Sequence, residues 1–359
     1  MFVSTHFLRV FNRDHQLLDE LDNFDNLTYS WTLDDSDTLN FQLSLSDPKR
    51  TTENLQYFNH IEIVDNSSGI TVWGGIVAGH DFNDPNEKIN CLSYDALLKY
   101  RRFRAKTYDS FDYGNLSAEL ISDLNRTSPT GVIIGNIAAG SLKTTFTTKN
   151  TDMALSTIKS LFDDTNYDWD IDENRMFNFY LRKGNDKPLY SLTYGGEADN
   201  IISAPERAED VMSMANSVYT EILDSDNNIK LSSLAQDFTS QSIFGLVEGT
   251  VSGSNTNDAT QSDLDIKTNA GLQDTNWPAD SFTVKIKDST LCPFDDITVG
   301  DAVTVNLIPY DNFSALMRIL KMEHDEKTGT RSITFGTTIF RSQPPVKKLY
   351  KNWRMNNWQ

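Results

Sequence analysis

Five histidines, two cysteines and three tight acidic clusters are the residues of this 359-residue chain that could carry chemistry. His6, His15, His60, His80 and His324 are scattered, and no two stand at metal-ligand spacing. His80–Asp81 and His324–Asp325 recur at matching points of two similar stretches and read as turn entrances on a polar edge. The DSDNN run at 224–228 opens like a calcium loop but lacks the central glycine and the distal glutamate. Asp170, Asp172 and Glu173 have the types of a glycosidase pair. Neighbours in one hairpin are not held across a substrate bond, so they read as turn residues. Cys91, in an alternating run, reads as a small core residue, and a bridge to Cys292 is left open. No phosphate-binding glycine loop, dinucleotide fingerprint, nucleophile elbow or H-E-x-x-H run occurs. The expectation is a protein with no catalytic residue, metal or cofactor, and not an enzyme.

The last nineteen residues, RSQPPVKKLYKNWRMNNWQ, differ from the rest. The whole chain carries −19, whereas this tail is basic and holds no acid. Lys347, Lys348, Lys351 and Arg354 interleave with Tyr350, Trp353 and Trp358. These seven are the candidate partner-binding residues, suited to docking on an acidic neighbour.

The acidic balance argues against a nucleic-acid-binding surface, which needs clustered lysine and arginine. No run of about 18 apolar residues could span a membrane, and nothing resembles a signal peptide. Folding in a cytoplasm is therefore expected.

The elements that must position these residues are mostly strands. Leu27, Tyr29, Trp31 and Leu33 alternate, the acidic turn DDSD follows, and Leu39, Phe41, Leu43 and Leu45 alternate after it. Two such runs around a polar turn predict an antiparallel hairpin with one buried face. Period-two alternation fills residues 1–100 and predicts a first β-barrel. Residues 101–195 mix periods and predict an α+β decorating domain. Its helices carry Leu116, Leu120, Ile121 and Leu124, with Asn115 as cap, and then Leu155, Ile158, Leu161 and Phe162, with Thr151 or Asp152 as cap. Residues 196–340 return to strands, SVYTEILD and IKLSSLAQD among them, as a second barrel with a small polar, helical insertion near 250–280.

The stretches IEIVDNSSGITVWGGIVAGHDFNDPNEKINCLSYDA and VTVNLIPYDNFSALMRILKMEHDEKTGTRSITFG read as the same sentence written twice: strand, excursion, strand, acidic turn, strand. Matching His60 to Asp301 and Asp81 to Asp325 aligns them. The fold class expected is mainly β with an α+β insertion.

In their order, LTYSWTLDDSDTLNFQLSL, ITVWGGIVAG with CLSYDALLKYRRF, ANSVYTE, AQDFTSQSIFGLVEG, and VGDAVTV with MRILKMEHDEKTGTRSITFG resemble the baseplate hub proteins of tailed bacteriophages. These include the N-terminal hub module of siphophage tail-associated lysins (Tal) and the hub of contractile tails. The resemblance runs from about residue 5 to 340 and rests on order rather than on one motif. It implies two tail-tube-like β-barrels and a homotrimer whose pseudo-sixfold ring meets a hexameric distal tail protein. It also implies receptor-binding or other baseplate proteins as partners, a tape-measure protein in the channel, and DNA passing without specific binding. The place of work would be the virion tail tip, after assembly in the bacterial host cytoplasm. Longer members carry a cell-wall hydrolase after the hub, and with residue 359 so close to the second barrel none is expected here. The competing readings are a host receptor- or carbohydrate-binding phage protein, with tyrosine and tryptophan stacking on sugars, and a cell-wall hydrolase.

Overall fold

The computed structural model describes residues 5–336 except 164, 166, 198, 211–213, 225, 227, 252–259, 277–278 and 311. The basic tail, with Lys347, Lys348, Tyr350, Lys351, Trp353, Arg354 and Trp358, lies outside the described residues.

The chain opens with two hairpins, β1 (His6–Phe11) with β2 (Leu17–Leu21), and β3 (Asp25–Thr32) with β4 (Thr38–Ser44). A meander follows: β5 (His60–Asp65), β6 (Thr71–Asn83) and β7 (Asn86–Ser93). Asp65 sets the turn before β6. Its Oδ1 accepts from the backbone N–H and the hydroxyl of both Ser67 and Ser68, which holds the carboxyl down at about 2. Alternation does what the pattern requires: Leu39, Phe41 and Leu43 are buried and join Leu8, Val10, Ile61, Ile63 and Trp73 in one core.

The mixed region runs α1 (Ala96–Lys99), β8 (Lys106–Asp112), α2 (Tyr113–Thr127), β9 (Ile133–Ile137), β10 (Leu142–Thr148), α3 (Ala154–Asp163), β11 (Asp168–Ile171) and β12 (Met176–Tyr180). Leu116, Leu120, Ile121 and Leu124 of α2 meet Ile158, Leu161 and Phe162 of α3 and the strand residues Phe177 and Phe179 in a second core. Asp112, not Asn115, caps α2, its Oδ1 accepting from Asn115 N–H at 3.0 Å. Asn115 lies one turn inside, where its own N–H is the orphan donor to be satisfied.

β13 (Asp186–Tyr194) and β14 (Glu206–Asp210) rejoin the large sheet. β13 pairs in parallel with a later strand at 302–307, although its residues fall within 101–195. β15 (Ser217–Leu223), β16 (Ile229–Gln236), α4 (Phe238–Phe244), β17 (Glu248–Thr250) and α5 (Gln261–Thr275) form a small module with its own three-stranded sheet. SVYTEILD and IKLSSLAQD therefore do not belong to the second barrel. They alternate because α5 covers one face of their sheet, with Val218, Ala235 and Leu272 in the joint core. Thr260 and Asp263 close a reciprocal capping box at the start of α5.

β18 (Ala279–Lys287), β19 (Ala302–Leu307), β20 (Phe313–Asp325) and β21 (Thr330–Gly336) complete the large sheet. Phe282, Val284, Val303, Val305, Ile319, Ile333 and Phe335 form its second core. The two β units are not separate sheets. Along β14-β18-β21-β20-β3-β4-β7-β6-β5-β1-β2 they form one, joined where β3 pairs β20. The fold is mainly β with an α+β insertion.

Candidate functional site

The β5-β6-β7 and β19-β20-β21 meanders match strand for strand. β6 and β20 are each 13 residues long. His60 stands opposite Ile76 and Ile61 opposite Gly75, as Ala302 stands opposite Arg318 and Val303 opposite Met317. The interval from His60 to Ala302 equals that from Ile76 to Arg318. Both long strands break register at the same place, between Val77 and Gly79 and between Ile319 and Lys321. Such a bulge re-aims the strand beyond it. Cys91 opposite Val77 then corresponds to Phe335 opposite Ile319.

This register corrects the alignment read from the sequence. His60 matches Ala302, not Asp301, because the interval is constant through both strands. His80 stands opposite Ile89, and its counterpart is Met322, opposite Ile333. His324, opposite Arg331, corresponds to Phe82, opposite Glu87. The two His-Asp pairs are thus two residues out of step. The second hairpin loop is longer by two residues, and counting back from the acidic turns carried that excess into the alignment.

The joint between the units is built on the last five residues of β20. Lys321, Met322, Glu323, His324 and Asp325 pair with Thr32, Trp31, Ser30, Tyr29 and Thr28. Trp31 packs against both cores, and the Arg331 guanidinium lies 5.3 Å from its ring centre. Arg331 also donates to the carbonyl of Phe294 at 2.5 Å. Behind the joint, Glu326 gathers distant parts of the chain. Its Oε1 accepts from Thr5 N–H at 2.7 Å, and its Oε2 lies 2.9 Å from His6 Nδ1 and 3.3 Å from His324 Nε2. Burial opposes ionisation there, but the contacts from His324, His6 and Thr5 outweigh it and hold the carboxyl well below the carboxylate range.

A second junction ties the mixed region to both units. Arg318 and Asp168 are 3% and 4% exposed and meet at 2.5 Å. Arg318 also donates to the carbonyls of Gly300 at 3.0 Å and Lys183 at 2.9 Å. Asp34, in the turn before β4, accepts from Trp169 N–H at 2.8 Å beside Asp168. Burial, then the Asp168 charge, push its carboxyl up to about 8. Burial also pushes Asp37 up to about 8. The DDSD turn, read as a polar turn between two strands, is therefore part of a buried junction. No signal in local alternation marks it.

The remaining chemistry-bearing residues are structural in place. Asp170 accepts from Asn178 at 2.8 Å and pairs with Lys183 at 2.7 Å. Asp172 Oδ1 accepts from Asn174 and Met176 N–H, both at 2.9 Å. Asp224 Oδ1 accepts from Asp226 and Asn228 N–H, also both at 2.9 Å, which makes it the turn's own cap. Cys91 and Cys292 are buried free thiols, so no bridge joins them. Among the described residues no cluster of three metal-ligating side chains occurs. Beside the far end of β6, Arg50, Tyr57, His80, Phe82 and Glu87 line an open groove of about 280 Å³. His80 Nδ1 lies 2.8 Å from Glu87 there, and Arg50 pairs with the same carboxylate.

No family model matches the sequence, and no curated protein matches it. Solved structures do match. Prophage tail protein gp18 from Listeria monocytogenes superposes with a TM-score of 0.66 at 16% identity, over 97% of this chain and 99% of that one. The 43 kDa tail protein of prophage MuSo2 from Shewanella oneidensis gives 0.67 at 12% identity, over 94% and 99%. A tail protein from Neisseria meningitidis gives 0.65 at 12% identity, over 93% and 96%. The chain has the prophage tail-protein fold. That fold spans the doubled meander and the mixed region together, because each match covers more than nine-tenths of both chains. Among the described residues no helix of this tail-protein fold is long and apolar enough to cross a membrane.

Proposed function

We propose that the chain is a structural hub at the distal end of a phage tail. Three copies form a pseudo-sixfold ring that adapts the sixfold tail tube to the threefold tip and gates the DNA channel. The observation that carries this reading is the doubled meander within a prophage tail-protein fold. Two equivalent units per chain, repeated three times, offer six equivalent surfaces. In this reading the hexameric distal tail protein sits on one face of the ring. Receptor-binding or other baseplate proteins surround it, and the tape-measure protein reaches the channel. The net charge of −19 supports passage of DNA without capture. The role is mechanical rather than enzymatic, and the place of work is the virion after assembly in the host cytoplasm. The basic segment 341–359 docks on an acidic neighbour through Lys347, Lys348, Tyr350, Lys351, Trp353, Arg354 and Trp358.

Negative-stain imaging of the purified chain tests the ring. Class averages with threefold symmetry and a central opening are expected. A compact single chain at every concentration overturns it. Deleting residues 342–359 is expected to leave the ring intact and to impair particle assembly.

A further inference from the structure

Within the chain, β20 has two partners on one side. β19 pairs with its first half, Phe313–Arg318, and β3 with its last five residues, Lys321–Asp325. β6 begins in the same way. β5 pairs with it from Thr71 to Ile76, and Phe58 and Asn59 exchange backbone hydrogen bonds with Val77. Beyond the bulge the likeness stops. Gly79–Asn83 pair with β7 on one side, and among the described residues no strand pairs with the other. The side chains register the difference. His324 is 8% exposed, whereas its counterpart Phe82 is 69% exposed.

The missing strand has a counterpart at the other end of the chain. β3 lies outside β4, which pairs β7, and β14 lies outside β18, which pairs β21. β14 is thus the equivalent of β3. Among the described residues its outer side pairs with no strand.

We infer that β14 of one copy adds to the Gly79–Asn83 edge of β6 in the next copy, repeating between chains the β3–β20 joint found within the chain. The inference rests on the hub reading above and names the contact that closes its ring. The register follows from the repeat. Leu39 pairs Cys91 and Tyr29, and Phe282 pairs Phe335 and Arg207. Cys91 and Phe335 are equivalent, so Arg207 takes the place of Tyr29. Tyr29 stands opposite His324, the counterpart of Phe82. The new joint therefore sets Arg207 of the partner subunit opposite Phe82. It sets Glu209 of the partner subunit opposite His80, and Ala208 of the partner subunit opposite Asp81.

An arginine opposite a phenylalanine and a glutamate opposite a histidine are attractive cross-strand pairs. Antiparallel addition of a strand supplies affinity through the main chain and specificity through alternate side chains. The contact is head-to-tail, so it closes into a ring or runs on, and a closed ring leaves no sticky edge.

The test is disulfide trapping in the full chain. Cys91 and Cys292 are buried and stay out of the reaction. The double variant Asp81→Cys/Ala208→Cys, mildly oxidised, is expected to give a denaturing-gel ladder that ends at the closed ring. Each single variant, and the register-shifted pair Asp81→Cys/Asp210→Cys, is expected to give far less. Phe82→Lys, at an exposed position that does not threaten folding, sets a like charge opposite the arginine in this register and is expected to raise the concentration needed for assembly by about tenfold or more. Native mass measurement of the parent chain separates the two readings. Rings in the parent, with no ladder and no effect of Phe82→Lys, overturn the β14–β6 joint and leave the hub reading standing. A ladder that ends at a number of chains other than three supports the joint and overturns the threefold hub. A parent that stays a single chain, with no ladder, overturns both.

Discussion

The meanders β5–β7 and β19–β21 share strand lengths, bulge position and register, yet their side chains differ where each meets something else. Ile76 and Arg318 occupy equivalent positions, and both contact the mixed region. Ile76 enters its apolar core. Arg318 meets its Asp168 as a buried ion pair. Glu87 and Arg331 are also equivalent, and they carry opposite charges in different surroundings. Arg50 and His80 hold Glu87, whereas the Trp31 and Phe294 rings flank Arg331. The backbone repeat fixes where contacts are made, and the side chains then adapt each copy to a different neighbour.

Cutting the comparison at Arg318 has the largest expected effect. Arg318→Ala leaves the Asp168 carboxylate buried without its cation, and denaturant unfolding is expected to show a loss of about 3–5 kcal/mol. Adding Asp168→Asn is expected to restore part of that loss, because no charge then remains unpaired.

Gly75 and Met317 give a sharper contrast. A Cβ at Gly75 would stand 2.2 Å from the carbonyl oxygen of Leu92 and 2.4 Å from the Trp73 ring. Its counterpart Met317 carries a buried side chain at the same point of the other unit. Gly75→Ala is expected to cost about 1–3 kcal/mol in thermal or chemical unfolding, the range for overpacking.

The two junctions respond to acid in opposite directions. Asp34 and Asp37 titrate near 8 in the folded protein against an ordinary 3.8, so folding favours their protonated forms. Their contribution is complete below about pH 4 and is lost as pH rises toward 8. Glu326 is depressed, so its contribution is present at neutral pH and is lost as pH falls. Asp34→Asn is expected to flatten the decline between pH 4 and 8 by at most about 1.4 kcal/mol per pH unit, read from unfolding curves across that window. An Asp34→Asn curve parallel to the parent's across that window would contradict a protonated Asp34.

The smallest effect is expected at Phe82. Phe82→Ala is expected to change single-chain stability by less than about 0.5 kcal/mol, because the ring is exposed. His324→Ala, at the equivalent position, is expected to cost about 1–3 kcal/mol by removing a partner of buried Glu326. Equal losses at both positions would show that the units differ less than their burial indicates.

Much of this was legible in the order of residues. Alternation at Leu27–Leu33 and Leu39–Leu45, the helical faces of α2 and α3, and turn chemistry at Asp65 all follow from neighbours within a few residues. The tail-protein likeness was legible too, through the sequence of elements. What local pattern could not assign was the partner of each strand. SVYTEILD alternates as cleanly as any barrel strand, but its covered face belongs to α5. Alternation states that a strand has a buried face, not what buries it. The DDSD turn has the composition of solvent, and only the approach of Asp168, Trp169 and Arg318 from more than a hundred residues away buries it. The pairing of β3 with β20 joins nearly opposite ends of the chain. Contacts at such separation are settled by the packing of whole units, so only the tertiary structure could decide them.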